Sequence, residues 1–135
     1  MNRIILLILI GILVTSCTRS TREVYLNRMK EKNFQFERTG PCINALDTIE
    51  GTTHARDTIY FDSKVITDRN AVVEFKFVRP CCQEFLGDYV IKNDTLIFKY
   101  ENVNNEMCSC VCWYRYKLTI NELKEKFSNI KVEKI

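Results

Sequence analysis

The alternation of apolar and polar residues near the C-terminus is the clearest pattern in the chain. Every second residue there is a cysteine, a tyrosine or an aliphatic residue: Cys108, Cys110, Cys112, Tyr114, Tyr116, Leu118 and Ile120. A period of two is that of a β-strand with one buried face. The pattern therefore predicts a long central strand that carries its thiols on the core side.

The same period recurs along most of the chain. Short alternating runs separated by turn residues lie at 34–38, 57–61, 64–67, 71–78, 89–92, 95–100 and 127–132. Asn93 and Asp94 join two of these runs into the clearest hairpin, because both residue types tolerate the positive φ angles of a tight turn. About seven short strands and no convincing long helix predict one all-β domain over residues 34–135. We expect an antiparallel β-sandwich, immunoglobulin-like or similar.

The first residues have the organisation of an export signal. Residues 1–3 carry one positive charge and precede an apolar run at 4–14. This run is too short for a membrane-spanning helix, which needs roughly 20 residues, but it has the length of a signal-peptide core. Val14-Thr15-Ser16-Cys17 follows, with two small residues directly before a cysteine.

This arrangement resembles the lipobox of bacterial lipoproteins, and the resemblance covers only residues 1–17. It implies a signal peptide at 1–16 that is removed, and a palmitate or other acyl chain on Cys17, the first residue of the mature protein. A secretory signal that happens to end at a cysteine is the alternative. Thr18 stands where an Asp often marks inner-membrane retention in that family. The resemblance therefore favours the outer membrane of the cell envelope, with the domain facing the periplasm or the cell surface.

Polar residues dominate the segment that follows, and we expect residues 17–33 to form a lipidated, flexible tether. A short helix marked by Val24, Leu26 and Met29 is the alternative, although the segment lacks a sustained apolar face. The formal net charge of the whole chain is only +3. This charge is too small and too interspersed to indicate nucleic acid as a partner.

Cysteine content is the most unusual feature of the composition. Besides Cys17, the chain holds Cys42, Cys81, Cys82, Cys108, Cys110 and Cys112. An even number in a small exported domain indicates disulfides, with no cofactor needed. Alternate residues of a strand lie about 6.7 Å apart, at the far edge of disulfide range. We therefore expect Cys42, Cys81 and Cys82 to bond to the central strand, in a connectivity that spacing leaves open.

Two other interpretations of the cysteines stay open. Cys108, Cys110 and Cys112, joined by Cys81 or Cys82, could hold Zn²⁺ or Cu(I) through four sulfurs. Buried free thiols are the other alternative. The Cys-x-Cys-x-Cys spacing differs from that of most structural zinc sites, and an oxidising compartment favours disulfides.

The sequence lacks the motifs of several enzyme classes. The four glycines lie too far apart for a phosphate-binding or dinucleotide loop. The single histidine, His54, excludes a two-histidine zinc-protease helix. His54 beside a cysteine would be a base for a thiol nucleophile, but the plainer interpretation is a solvated loop residue.

The other face of the central strand offers a candidate interaction patch. Trp113, Arg115 and Lys117 share that face, and Trp and Arg are favoured at binding hot spots. The alternative is that a loop or a second sheet covers Trp113.

These observations favour a lipid-anchored binding module of the cell envelope without catalysis of its own. Its expected partners are the membrane, through the anchor, and an unidentified envelope protein or glycan. A lipobox, a small β-domain and a cysteine-rich strand together loosely resemble small lipoproteins of Gram-negative bacteria. The alternative function is metal binding or thiol redox chemistry on the Cys108–Cys112 strand.

Overall fold

A computed structural model describes residues 20–45, 58–106 and 108–135. Its elements within those residues are α1 (Thr21–Glu31), β1 (Phe34–Arg38), β2 (Ile43–Asn44), β3 (Tyr60–Thr67), β4 (Asn70–Pro80), β5 (Phe85–Lys92), β6 (Thr95–Asn102), β7 (Val111–Ile120) and β8 (Asn129–Lys134). Strands thus account for most of the described chain, as the period of two predicts.

The strands form two sheets that pack face to face. The larger sheet has five strands in the order β1-β7-β4-β3, with β2 also paired to β7. The smaller sheet has three strands in the order β5-β6-β8. Side chains from both sheets form one buried cluster between them. The predicted all-β sandwich is therefore confirmed.

One ladder departs from the expected antiparallel pattern. Strand β8 runs parallel to β6, with Leu96 opposite Ile130 and Phe98 opposite Val132. The reason is the path of the chain between them. After β6 the chain crosses to the larger sheet as β7 and then returns, so it enters β8 in the direction of β6.

Strand β7 lies in the middle of the larger sheet and organises it. It pairs with β4 over ten residue pairs and with β1 over five. Cys112 and the apolar residues that alternate with it are buried, as the sequence predicts. The strand begins at Val111, however, so Cys108 and Cys110 precede it and are exposed. The expectation that all three thiols face the core is wrong for these two.

The ladder between β4 and β7 ends where β7 begins. Val111, the first residue of β7, pairs with Pro80, the last residue of β4. One further backbone bond follows, from the N–H of Cys81 to the carbonyl of Cys110. Cys82 then takes a φ of 64°, which turns the chain away from the sheet.

Aromatic rings fill the space between the sheets. The centroid distances are 4.7 Å from Phe36 to Phe98 and 4.8 Å from Phe77 to Tyr100. Each of these pairs joins the larger sheet to the smaller one. Such contacts contribute about 0.5–1.5 kcal/mol beyond the burial of their area. Ring packing therefore fixes how the two sheets lie against each other.

The predicted hairpin is confirmed. Lys92 pairs with Thr95 across the β5–β6 turn. Asn93 and Asp94 between them have φ angles of 49° and 63°. Positive φ at both central positions is the type I′ geometry, whose twist matches that of the flanking strands.

Part of the segment expected as a flexible tether is a helix instead. Ser20 caps α1, with its hydroxyl accepting a hydrogen bond from the backbone N–H of Glu23 at 3.3 Å. Polar contacts then hold α1 against the smaller sheet, so the helix needs no broad apolar face. The Tyr25 hydroxyl donates to Glu101 at 2.5 Å, and Lys32 Nζ lies 2.6 Å from Asp88. The expectation of a flexible tether is therefore wrong for residues 21–31, where the alternative of a short helix is confirmed. The sequence favoured the tether because the partners of the helix lie far away in the chain.

Candidate functional site

The six cysteines outside the N-terminal segment converge at one end of the sandwich, where they form three disulfides. Cys42 is joined to Cys112, Cys81 to Cys110, and Cys82 to Cys108. The Cα atoms of these pairs are 5.3, 5.4 and 6.3 Å apart, within the usual range for disulfides. Cys42, Cys81 and Cys82 thus each join a cysteine at or before the start of β7, as predicted from the sequence.

The strand pairings bring these cysteines together. Ile43 of β2 lies opposite Trp113 of β7, which brings the preceding Cys42 beside the start of β7. Cys81 follows directly after β4, and its N–H donates to the carbonyl of Cys110 at 2.9 Å. Both contacts depend on β7 lying between β2 and β4. The sequence alone could not fix this order of strands.

A polar network holds the turn that contains the paired cysteines. The Tyr114 hydroxyl donates to the carbonyl of Pro80 at 3.0 Å and accepts from the N–H of Gln83 at 3.1 Å. The side-chain amide of Asn104 donates to the carbonyl of Cys82 at 2.7 Å. These bonds satisfy partly buried polar groups around the turn and so fix its position.

Three of the sulfurs lie unusually close together. The Sγ atoms of Cys42, Cys81 and Cys112 are all within 4.8 Å of one another. Cys81 Sγ lies 3.7 Å from Cys42 Sγ and 2.9 Å from Cys112 Sγ. Cys112 is buried, Cys81 is half-buried and Cys42 is exposed. Oxidised, these sulfurs cross-link the strands; reduced, they would offer three thiolates to one soft metal ion.

This sulfur cluster differs from the metal site that the sequence suggested. The expected ligands were Cys108, Cys110 and Cys112, joined by Cys81 or Cys82, but successive alternate residues on an extended chain spread over several ångströms. The structure instead gathers one thiol from each of three segments of the larger sheet. Cys42, which the sequence interpretation left out of the metal site, belongs to this cluster.

The predicted interaction patch lies on the outer face of the larger sheet. Trp113 is half-buried, and its ring meets that of Tyr60 edge-on at 5.6 Å. Lys76 Nζ lies 5.9 Å from the centroid of the same ring. Arg115 is exposed and Lys117 is half-buried. The indole is thus packed within its own sheet, while the cationic side chains reach solvent.

Two residues singled out in the sequence lie outside the described part of the chain. These are His54, the candidate base, and Cys17, the expected lipid attachment site. The described residues contain no helix with the length and hydrophobicity of a membrane span.

The core of the domain contains tyrosine hydroxyls that stay neutral. Burial raises the pKa of Tyr116 to about 12. Tyr25 also has a pKa of about 12, because it is desolvated and donates a hydrogen bond to Glu101. Neither group exchanges a proton near neutral pH, so their roles are in packing and hydrogen bonding.

A groove of about 500 Å³ lies away from the cysteines, and sequence reasoning missed it. It is bounded by the end of α1, the second half of β5 and the loop at 121–125 that follows β7. Tyr89, Val90, Ile91 and Leu123 supply its apolar surface. The only hint in the sequence was the dense mixture of charges in the segment 121–126.

The loop that forms one wall of the groove is tied to the larger sheet. The side-chain carbonyl of Asn70 accepts from the N–H of Glu122 at 2.7 Å. The carbonyl of Arg69 accepts from the N–H of Leu123 at 3.1 Å. Glu122 itself has a φ of 54°, a conformation that few non-glycine residues adopt. The β3–β4 turn thus positions this wall.

Electrostatics at the groove are dominated by carboxylates. Glu31, Glu122 and Glu125 line it and are exposed. The pKa of the Tyr89 hydroxyl is raised by burial first, and then by the negative charges of Asp88 and Glu125. The carboxylate of Glu125 therefore acts across the groove on the opposite wall.

Comparisons with models of protein families, with curated proteins and with solved structures find no match for this chain.

Proposed function

We propose that this protein is a lipid-anchored binding module of the bacterial cell envelope. In this proposal Cys17 carries the lipid, and the β-sandwich presents a binding surface to an envelope protein or glycan. The module has no catalytic step of its own. The fold supplies a rigid body, and the anchor keeps it at the membrane surface.

The observation that carries the proposal is the pairing of the six remaining cysteines. All six lie in three pairs at disulfide distance at one end of the domain. Disulfides persist in oxidising compartments and are rare in the cytosol. This agrees with the export signal and lipobox-like motif at the N-terminus, which are independent features of the sequence.

Anchoring is tested with a Cys17→Ala variant expressed in a Gram-negative host. We expect the unchanged protein to incorporate labelled palmitate and to fractionate with membranes. The variant should lose the label and become extractable without detergent. A variant that keeps the label would show that the lipid is attached elsewhere.

Binding is tested by crosslinking in intact cells, followed by identification of the proteins and glycans that co-purify. A reproducible partner that depends on the folded domain would support the proposal. If the purified full-length protein reduced a model disulfide at catalytic rates, or if no partner crosslinked from any surface, the proposal would fail.

A second candidate function rests on the cluster of Cys42, Cys81 and Cys112. Their mutual distances would allow three thiolates to hold one Cu(I) ion, a soft cation that prefers sulfur. The site would form only after a dithiol reductant had supplied two electrons to each of two disulfides, Cys42–Cys112 and Cys81–Cys110. In this candidate the protein is a metal-handling or thiol-redox protein.

Cu(I) titration of the reduced protein tests this candidate. One equivalent should bind against a competing chelator, and Cys42→Ser should weaken that binding. Cys108→Ser is the matched control, because Cys108 is also an exposed cysteine but lies outside the cluster. An equal loss of Cu(I) affinity in the two variants would contradict a site at Cys42, Cys81 and Cys112.

A further inference from the structure

We propose that the groove between α1, β5 and the 121–125 loop binds an extended, basic segment of a partner protein. This inference rests on the proposed binding function and specifies where the partner binds and what its chemistry is. The ligand has an apolar stem that packs on Val90 and Leu123. Its lysine or arginine heads meet the carboxylates at the rim.

Carboxylates outnumber ammonium groups in the groove. Three carboxylates, on Glu31, Glu122 and Glu125, line the groove, against the ammonium groups of Lys32 and Lys124. Lys32 is already engaged, because its Nζ lies 2.6 Å from Asp88 and donates to the carbonyl of Tyr89 at 2.8 Å.

The three carboxylates themselves have no cation within ion-pair distance in the described chain. The groove is therefore locally anionic, although the formal net charge of the protein is +3. A long-range attraction of the whole protein for basic ligands cannot account for binding there, because its overall charge has the opposite effect.

The groove also has an apolar surface. Val90 is 44% exposed at the surface of the groove, whereas Leu123 is only 8% exposed. An apolar floor beneath an acidic rim matches a side chain with an aliphatic stem and a charged head. Lysine and arginine have this construction, and a small metal cation does not.

The groove lies along an edge of the smaller sheet. Strand β5 is an edge strand, and the groove follows its second half. At Tyr89 the outer backbone groups are occupied, because Asp88 accepts from its N–H at 2.8 Å and Lys32 donates to its carbonyl. Backbone direction alternates along an antiparallel strand, so the N–H and carbonyl of Ile91 face the same edge.

Ile91 has no hydrogen bond outside the strand ladder in the described residues. An extended segment lying in the groove can pair its backbone with Ile91 while its side chains reach the carboxylates. This is strand addition to a sheet edge, in which backbone bonds give affinity and side-chain contacts give specificity. The Lys32–Asp88 pair limits the addition to the part of β5 beyond Tyr89.

The test uses the purified full-length protein and a fluorescent peptide of alternating lysine and valine. Anisotropy is measured at about 0.15 M ionic strength, where the screening length is about 8 Å. We expect the lysine–valine peptide to bind and a glutamate–valine peptide not to bind. Glu122→Gln combined with Glu125→Gln should weaken binding about tenfold, since two charge-assisted contacts are lost.

The matched control combines Glu37→Gln with Glu106→Gln. Both residues are exposed and neither lines the groove, so this variant has the same net charge as the groove variant. It should bind the peptide as the unchanged protein does. Equal weakening in the two variants, or equal binding of the acidic peptide, would overturn the proposal. Competition by free spermidine at the concentration of the peptide would also overturn it, because the ligand would then be a free amine.

A crosslinking experiment in cells distinguishes binding in the groove from the proposed binding function of the whole module. A photoreactive amino acid is placed at Lys124, in the groove, or at Glu106, away from it. Capture of a protein partner from position 124 supports the groove. Capture only from position 106 would overturn the groove proposal and leave the binding module intact, whereas capture from neither would count against both.

Discussion

At the scale of single residues, the narrow space between the sheets decides which side chains are tolerated. Gly87 in β5 lies against β6, the neighbouring strand of the same sheet. A Cβ atom there would lie 2.6 Å from the Phe98 ring and would also meet the carbonyl of Lys99. Phe98 in turn packs on Phe36 of the larger sheet. The absence of a side chain at Gly87 therefore allows the central aromatic contact.

We expect Gly87→Ala to lower the free energy of unfolding by about 1–3 kcal/mol, the usual cost of overpacking. Gly40→Ala is the matched control, because nothing lies within 4 Å of the position of its Cβ. Urea denaturation followed by circular dichroism measures both. A Gly87→Ala protein as stable as the control variant would show that both the Lys99 carbonyl and the Phe98 ring can shift at little cost.

Burial of Tyr116 predicts a dependence of stability on alkaline pH. Its pKa of about 12 exceeds the value of about 10 for a free tyrosine, so folding favours the neutral hydroxyl. That stabilisation is fully present below about pH 10 and disappears as the pH rises towards about 12. A pKa difference of this size corresponds to roughly 3 kcal/mol.

Tyr116→Phe should therefore flatten the decline of unfolding free energy between about pH 10 and pH 12. Urea unfolding at several pH values, by circular dichroism, provides the measurement. Parallel pH profiles for the variant and the unchanged protein would contradict the assignment of this titration to Tyr116.

At the scale of elements, α1 shows how a polar helix is held in place. The ion pair between Lys32 and Asp88 is partly buried and is supported by a bond to the carbonyl of Tyr89. The ion pair between Arg22 and Glu84 at the other end is more exposed, with 53% and 38% of the two side chains accessible. Exposed pairs contribute about 0–1 kcal/mol, so the C-terminal end of α1 should be the firmer one.

We expect Lys32→Gln to reduce the hydrogen-exchange protection of α1 amides more than Arg22→Gln does. The reason is that Lys32 loses an ion pair and a backbone bond together, whereas Arg22 loses a screened surface contact. Hydrogen exchange measured by mass spectrometry on peptides covering 20–33 provides the comparison. Greater loss in the Arg22 variant would mean that the helix is held from its N-terminus.

The sequence predicted elements whose cause is local and failed where the cause is distant. The hairpin at Asn93 and Asp94 was predictable because turn chemistry depends on those two residues. The buried face of β7 was predictable because its period reflects a single buried surface. Helix α1 was only the alternative interpretation of its segment, since its partners lie in β5 and β6. The groove was not predicted, since three separate segments form it. The connectivity of the cysteines likewise required the order of strands in the sheet.

At the scale of the whole molecule, the disulfides connect distant parts of the larger sheet. The bond between Cys42 and Cys112 spans 70 residues, and the other two span 29 and 26. Each should stabilise the fold by about 2–4 kcal/mol, chiefly by restricting the unfolded chain. Long spans restrict it most, because closing a longer loop costs more entropy.

If the protein is exported to the cell envelope as proposed, we expect the isolated protein to show no free thiol among these six cysteines when it is denatured without reductant. Cys110→Ser should lower the unfolding free energy by about 2–4 kcal/mol without altering the secondary structure at low temperature. Thiol counting and thermal denaturation followed by circular dichroism test the two statements. Six reactive thiols with a stoichiometric metal would instead support the Cu(I) candidate.

The central position of β7 has a consequence for how the protein is made. Its partners β1, β2 and β4 are all synthesised earlier. They cannot complete the larger sheet until β7, which ends at Ile120, has been synthesised. If the chain crosses a membrane N-terminus first, as proposed, Cys42, Cys81 and Cys82 arrive in the oxidising compartment before any of their partners. During that interval they can only react with one another or with an oxidase. Biogenesis would then require an isomerase that undoes premature pairs, and a host without one should accumulate mispaired, protease-sensitive protein.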